Sequence, residues 1–301
     1  MVETHVGNVA IVGRPNVGKS TLLNYLVGEK IAGTSAKPQT TRDVIRGILT
    51  VPDGQLFQSP HRGQIIFLDT PGVHKPKDAL GEGMIREVRQ SLEDADLIYW
   101  MAYPKPMGDT ERVILDWVRE LTVPVFLLIN QIDRFSKDQL LPALESFQNA
   151  YPFKEFIPIS AKTGENIKVL VRETLKVLPE DEFLYPEDQI SDQTVRFHVQ
   201  EMIREKLYHY LGEELPYDAT VRIDEFKEDG KITRIHATIV VTRESQKAIV
   251  IGKGGEKIKQ IGTYARLDIE KFLGKKVFLE LWTKVMSEWK TNREFLRGLK
   301  P

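Results

Sequence analysis

The sequence predicts an α/β domain with a mixed, mostly parallel sheet and helices on both faces, followed by a smaller α+β domain. Three observations predict it. Short apolar runs without alternation recur at 6–12, 65–68, 96–102, 123–129 and 156–159, as in strands buried on both faces. Amphipathic stretches at 19–27, 80–92, 110–121, 137–148 and 166–177 lie between them, and such alternation makes a doubly wound sheet. Beyond residue 192 the pattern changes to helix, two strands, two helices and a strand.

The first run, Val-Gly-Asn-Val-Ala-Ile-Val at 6–12, ends against a glycine-rich turn. The stretch 44–51 adds a strand expected to pair antiparallel with 65–68 through the turn-rich 52–63, which makes the sheet mixed. Residues 179–192 are acidic, carry two prolines and show no period, so they read as a linker. The domains are therefore taken as 1–180 and 193–301, joined by 181–192. In the second, a helix is expected over 194–211, then strands over 220–226 and 232–242 around a turn at 227–230. A short helix over 244–250, a longer one over 256–272, a strand over 277–285 and a last helix over 287–297 complete it.

A chain of 301 residues suits two domains. Apolar residues at 41% and charged residues at 28% are ordinary for a globular protein, and no run approaches the ~18 apolar residues of a membrane span. The start lacks the basic-then-apolar plan of a signal peptide. Without cysteine, disulfides and thiolate zinc sites are excluded. A cytoplasmic protein is expected. The net charge of -1 hides an asymmetry: residues 231–301 hold sixteen Lys/Arg against seven Asp/Glu. A basic end on an acidic chain fits either a polyanion site or a solvated basic surface.

Gly13-Arg14-Pro15-Asn16-Val17-Gly18-Lys19-Ser20 fits G-x-x-x-x-G-K-S/T, with a strand before it and a helix after it. Glycines let successive N–H groups turn inward around a phosphate, and the helix N-terminus adds its dipole. Lys19 is assigned to the β- and γ-phosphates and Ser20, with Thr21 beside it, to the start of the helix; the Ser20 hydroxyl is aimed at Mg2+. A glycine-rich turn with a surface lysine is the bland alternative.

Four further motifs follow, those after Thr41 each at the end of a strand, the ligand-binding edge of such sheets. In Asp69-Thr70-Pro71-Gly72, Asp69 holds Mg2+ through a water and the Gly72 N–H reaches the γ-phosphate. Thr41, in Gln39-Thr40-Thr41-Arg42-Asp43, completes the Mg2+ shell only while that phosphate is present; a segment ordered and freed in this way is a switch. In Asn130-Gln131-Ile132-Asp133, the Asp133 carboxylate accepts from the two N–H donors that guanine has and adenine lacks, while Asn130 ties the loop to the phosphate loop. In Ser160-Ala161-Lys162, the Ala161 N–H meets the guanine O6 and the Lys162 stem packs on the base. The expected ligands are GTP or GDP with Mg2+, and Lys19, Thr41, Gly72 and Asn16 are the candidates for catalysis.

This pattern resembles the translation-factor class of GTPases. Within it, Gly-Arg-Pro-Asn-Val-Gly-Lys-Ser, Gln-Thr-Thr-Arg-Asp and Asp-Thr-Pro-Gly resemble the Era family, and the resemblance spans nearly the whole chain. Gln131 departs from the Lys more often found there, which bears on affinity rather than specificity. Where many GTPases carry a water-orienting Gln, this chain has Val73, followed by His74. Valine cannot orient water, so either another group does or intrinsic turnover is slow; His74 is read as a solvated loop residue more readily than as a base. In similar proteins an Asn at the Asn16 position helps bind a monovalent cation, which implies K+-stimulated hydrolysis.

Ile249-Val250-Ile251-Gly252-Lys253-Gly254-Gly255-Glu256-Lys257-Ile258 contains G-x-x-G between two helix candidates. It resembles the loop of a type II KH domain, which clamps about four nucleotides. Lys253 and Lys257 supply charge, glycines allow close approach, and Ile249, Ile251 and Ile258 line an apolar groove. A plain helix–helix turn would share the four-residue spacing. Lys290, Arg293, Arg297 and Lys300 near the end fit contact with RNA, contact with an anionic membrane surface, or a solvated helix equally well. The family resemblance implies a GTPase acting on small-subunit ribosomal RNA near its 3′ end during assembly of the small ribosomal subunit, and a monomer is expected. The rival readings are a passive RNA chaperone with structural GTP and a regulator of membrane or cell division.

Overall fold

A computed structural model describes residues 3–35, 37, 40–52, 57, 59–76, 78–212 and 215–299. Gln39, Lys300 and residues 53–56 and 58 of the expected 52–63 turn lie outside them. The chain divides into two compact units: 1–31, 41–77 and 81–192 form the first, and 32–40, 78–80 and 193–301 the second.

The first unit is a six-stranded sheet with helices. In chain order it runs β1 (Thr4–Gly13), α1 (Lys19–Val27), β2 (Ile45–Val51), β3 (Arg62–Asp69), α2 (Ala79–Glu93), β4 (Leu97–Ala102), α3 (Asp109–Arg119), β5 (Val125–Asn130), α4 (Lys137–Gln148), β6 (Glu155–Ile159) and α5 (Ile167–Leu175). The strand order is β2-β3-β1-β4-β5-β6; only β2 runs antiparallel, pairing Ile48 with Ile66. Every residue of β4 and β5 is buried, which is why these strands show no polar alternation. Trp100 of β4 and Ile129 of β5 join Ile114 and Val118 of α3 in one core cluster. The expected boundaries differ from these by three residues at most.

Residues 179–192 lie along the first unit rather than free of it. The Val6 N–H donates to the Pro179 carbonyl at 2.9 Å and the Ile48 N–H to that of Ile190 at 2.9 Å. Buried Gln64 holds the middle: its Oε1 accepts from the Leu184 and Tyr185 N–H groups at 3.0 and 2.9 Å. The backbone bonds are spaced too widely to leave a sequence period.

The second unit comprises α6 (Val195–Tyr210), α7 (Leu215–Asp218), β7 (Thr220–Asp229), β8 (Ile232–Val241), α8 (Glu244–Ile251), α9 (Glu256–Leu273), β9 (Lys276–Val285) and α10 (Arg293–Arg297). Thr194 caps α6 by accepting from the Phe197 N–H at 3.2 Å. The sheet order is β7-β8-β9, with the first pair antiparallel and the second parallel. Ile203 and Leu207 of α6, Ile261 and Ile269 of α9, and Val221, Ile235 and Ile239 of the sheet form its core.

Three expectations need correction. Strand β7 extends through 227–229, so the turn at 227–230 shrinks to Gly230 and Lys231; Gly230 at φ 54 takes the left-handed conformation there. The single-turn α7 gave too short a pattern to be read. The last helix starts at Arg293 rather than 287, because Trp289 turns in to bury its ring and donate Nε1–H to the Asp218 carbonyl at 3.0 Å. Asn292 then caps a new start, accepting from the Phe295 N–H at 2.9 Å.

Candidate functional site

The loop after β1 turns on backbone that ordinary residues avoid. Gly18 sits at φ 107, where a Cβ would also strike the Asn130 side-chain amide, and Asn16 is left-handed at φ 62. Gly13 packs against the Met101 carbonyl of β4 too closely for any side chain. Lys19 opens α1 and is buried, its Nζ donating to the Gly13 and Arg14 carbonyls at 3.3 Å each. Burial lowers its pKa to about 8, against the raising influence of Asp69. These long bonds hold the ammonium against the carbonyls of its own loop.

The three side chains expected around Mg2+ converge. The Ser20 hydroxyl donates to Asp69 Oδ2 at 2.6 Å and lies 2.9 Å from Thr41 Oγ1. Asp69 is buried at the end of β3, and its Oδ1 has no protein hydrogen-bond partner. Burial pushes its pKa up to about 6, against the lowering effects of Lys19 and of the Ser20 hydroxyl. A buried carboxylate oxygen with no protein donor, beside two hydroxyls, suits a hard, hydrated cation. The following turn is fixed from both sides: Thr70 Oγ1 donates to the Ile11 carbonyl at 2.7 Å, and a Cβ on Gly72 would lie 2.8 Å from Pro15 Cα.

Asn130, at the end of β5, joins two loops. Its Nδ2 donates to the Val17 carbonyl at 2.7 Å and its Oδ1 accepts from the Ala161 N–H at 2.9 Å. Gln131 turns left-handed at φ 72, and exposed Asp133 has one oxygen held by the Ser160 hydroxyl at 2.8 Å. Ser160 also accepts from the Thr163 N–H at 3.2 Å, and Lys162 is exposed beside it. Asn130 thus brings the residues expected around a base together with the loop expected around a phosphate.

In the second unit, Gly252 ends α8, and Gly252, Gly254 and Gly255 all have positive φ, at 73, 59 and 80. A Cβ on Gly252 would press on Lys257 at 2.7 Å, whereas Gly254 and Gly255 face open space. Lys253 is exposed, Ile249 is 48% exposed, Ile251 and Ile258 are half-buried, and Val250 is anchored in the core. The loop therefore exposes main chain at Gly254 and the Lys253 cation, with Ile249 exposed one turn before it.

The family described as "50S ribosome-binding GTPase" matches residues 8–131, and the family described as "KH domain" matches residues 206–290. GTPase Era of Coxiella burnetii (strain Dugway 5J108-111) is 45% identical over 301 residues, covering 99% of both chains. The chain belongs to the Era family of GTPases. GTPase Era of Caldanaerobacter subterraneus subsp. tengcongensis is 46% identical over 97% of this chain and 96% of its own. A crystal structure of Era in complex with MgGDPNP and nucleotides 1506–1542 of 16S ribosomal RNA superposes with a TM-score of 0.92 at 40% identity, covering 98% of both chains. A variant of Aquifex aeolicus Era bound to GDP and AlF4- gives the same figures.

This Era-family enzyme is a GTPase that uses Mg2+. Two features around its Asp69–Gly72 turn escaped the sequence. Val73 is a core residue, packed in the cluster of Trp100 and Ile114, with its N–H donating to the Gly13 carbonyl at 3.1 Å. At the position where many GTPases carry a glutamine, the side chain here points into the core. His74 Nδ1 lies 2.8 Å from the Gly72 carbonyl, which ties the ring to its own loop. Arg14 pairs with buried Glu111 of α3 at 2.8 Å, and Glu111 also accepts from the Gly108 N–H at 3.0 Å. No local pattern links Arg14 to Glu111; only the fold does. Among the described residues, no helix is long and apolar enough to cross a membrane.

Proposed function

We propose that this Era-family GTPase is a GTP-driven switch that holds small-subunit ribosomal RNA near its 3′ end during assembly of the small subunit. The observation that carries it is the match over 98% of both chains to an Era bound to nucleotides 1506–1542 of 16S ribosomal RNA, joined to a glycine loop built for close approach. GTP occupies the loop of Gly13, Asn16, Val17, Gly18, Lys19, Ser20 and Thr21, with Lys19 on the β- and γ-phosphates. Mg2+ neutralises charge that develops on the transferring phosphoryl group. Ser20 and Thr41 offer it hydroxyls and Asp69 a carboxylate. The Gly72 N–H and Thr41 report whether the terminal phosphate is present, and their release on hydrolysis resets the protein. Guanine is read by Asp133 and the Ala161 N–H, with Lys162 and Gln131 flanking the base and Ser160 and Asn130 bracing the loops.

RNA lies on Gly252, Lys253, Gly254 and Gly255 with Lys257, its bases over Ile249, Ile251 and Ile258. A ribosomal RNA partner supports the reading of a cytoplasmic protein. Replacing Lys253→Asp and Gly254→Asp together tests the assignment. Gly254 faces open space and Asp tolerates left-handed backbone, so the fold should survive. GTP affinity is expected to stay and RNA affinity to fall by at least a hundredfold. Unchanged RNA affinity removes the site. RNA binding with no turnover, even with RNA present, favours a passive chaperone.

A further inference from the structure

A surface tyrosine on α1 lies against the loop that follows β6. Leu22, Leu23 and Leu26 turn one side of α1 to the core, while Tyr25 stays 45% exposed. Its ring leans on Gly164, where a Cβ would run into the Tyr25 hydroxyl and lie 2.8 Å from Cε2. Gly164 is also left-handed, at φ 82, so backbone conformation and close approach both require glycine there. Both residues belong to the first unit.

Gly164 closes a tight turn. Its N–H donates to the Ser160 carbonyl at 2.8 Å, its carbonyl accepts from the Ile167 N–H at 3.2 Å, and the Ser160 N–H donates to the Glu165 carbonyl at 3.2 Å. Ser160 in turn holds one oxygen of Asp133 through its hydroxyl at 2.8 Å. Three contacts therefore lead from Tyr25 to Asp133: ring on Gly164, Gly164 on Ser160, and Ser160 on the carboxylate. Asn130 reaches the same turn at the Ala161 N–H, 2.9 Å away, so the turn is gripped near its start by Asn130 and near its end by Tyr25.

We propose that Tyr25 is a positioning residue for guanine selection: it pins the turn 160–165 to the helix that carries Lys19, and through Ser160 it keeps the Asp133 carboxylate aimed at the base. The inference rests on the reading above that Asp133 meets guanine, and it adds the residue that holds that aim. Asp133 is exposed on a loop, and a carboxylate there selects a base only if its support holds it to within about 0.5 Å. Tyr25 lies six residues beyond Lys19, hence about 9 Å along the helix, so one rigid element runs from the phosphate end of the site to the base loop. Tyrosine suits the position, because its flat ring covers bare backbone while its hydroxyl stays at the water boundary.

The test uses the full chain in Mg2+ buffer, with GDP and inosine diphosphate each displacing mant-GDP. Inosine diphosphate lacks the exocyclic amine that Asp133 is assigned to accept from, so the ratio of the two affinities reports on Asp133. The parent is expected to prefer GDP. Tyr25→Ala, at an exposed site, should weaken GDP about tenfold and inosine diphosphate about threefold at most, which narrows the preference. Tyr25→Phe keeps the ring edge and should stay within about twofold of the parent for both. Gly164→Ala drives a methyl into the tyrosine and should cost more GDP affinity in the parent than in the Tyr25→Ala protein. Equal losses for the two nucleotides in Tyr25→Ala, or no loss for either, overturn the proposal for Tyr25 alone. A parent that binds both nucleotides alike refutes Asp133 as the reader of the base, and the proposal falls with it.

Discussion

Ser20 donates to Asp69 across 2.6 Å, which links the start of α1 to the end of β3 through one short hydrogen bond. With Thr41 on the same serine oxygen, the side chains that would surround a cation are drawn together, while one Asp69 oxygen keeps no protein partner. Asp69 must be ionised to serve a cation, and burial raises its pKa to about 6. The sign follows: protons compete with Mg2+ as pH falls through 6, and above 7 the carboxylate is fully available. Mg2+ titration of mant-GTP-loaded protein should show affinity falling toward about tenfold per pH unit below 6. Asp69→Asn should be much weaker and should retain only the nucleotide's own pH dependence. A parent profile parallel to that of Asp69→Asn contradicts the role given to Asp69.

Asn130 carries two buried hydrogen bonds that brace the phosphate and base loops against each other. Asn130→Ala leaves the Val17 carbonyl and the Ala161 N–H without these partners, at a cost of about 3 kcal/mol. On the proposal that both loops hold nucleotide, most of that should appear as mant-GDP affinity, roughly a hundredfold. Stopped-flow release rates check it; a change under threefold would mean that the bonds do not transmit to the nucleotide.

Val73 fills the core beside Trp100, so restoring the glutamine found elsewhere is not a repair. Val73→Gln should destabilise the first unit by about 2–3 kcal/mol, since the amide lands in an apolar cluster. It should not raise single-turnover hydrolysis. A faster rate would show that the side chain swings out to the phosphate.

Asn16 stands left-handed in the phosphate loop at φ 62. If its side chain helps seat a monovalent cation there, hydrolysis runs faster in K+ than in Na+ at equal ionic strength, and Asn16→Ala abolishes the difference. Equal parent rates in the two buffers exclude the cation.

The convergence of the phosphate loop with Asp69 and Asn130 is legible in the sequence because the chemistry expected there is local. A phosphate needs glycines at fixed spacing and a lysine next to a helix start, and each later motif closes a strand. Arg14 and Glu111 were hidden because 97 residues separate them and only the packing of α3 beside the loop makes the pair. Residues 179–192 looked like a linker because their order comes from the Gln64 side chain and the β1 and β2 backbone, not from their own side-chain period. The end of the chain misled differently: 287–297 has helical composition, but burial of Trp289 and the Asn292 cap break it.

The central claim is that the terminal phosphate of GTP governs how this protein holds ribosomal RNA. Sequencing RNA crosslinked to the full chain, loaded with GTP analogue or with GDP, tests it most directly. Enrichment near the 3′ end of small-subunit ribosomal RNA in the analogue state, lost in GDP and in the Lys253→Asp, Gly254→Asp protein, is the predicted result. Identical crosslinks in both nucleotide states, or none in ribosomal RNA, would contradict it.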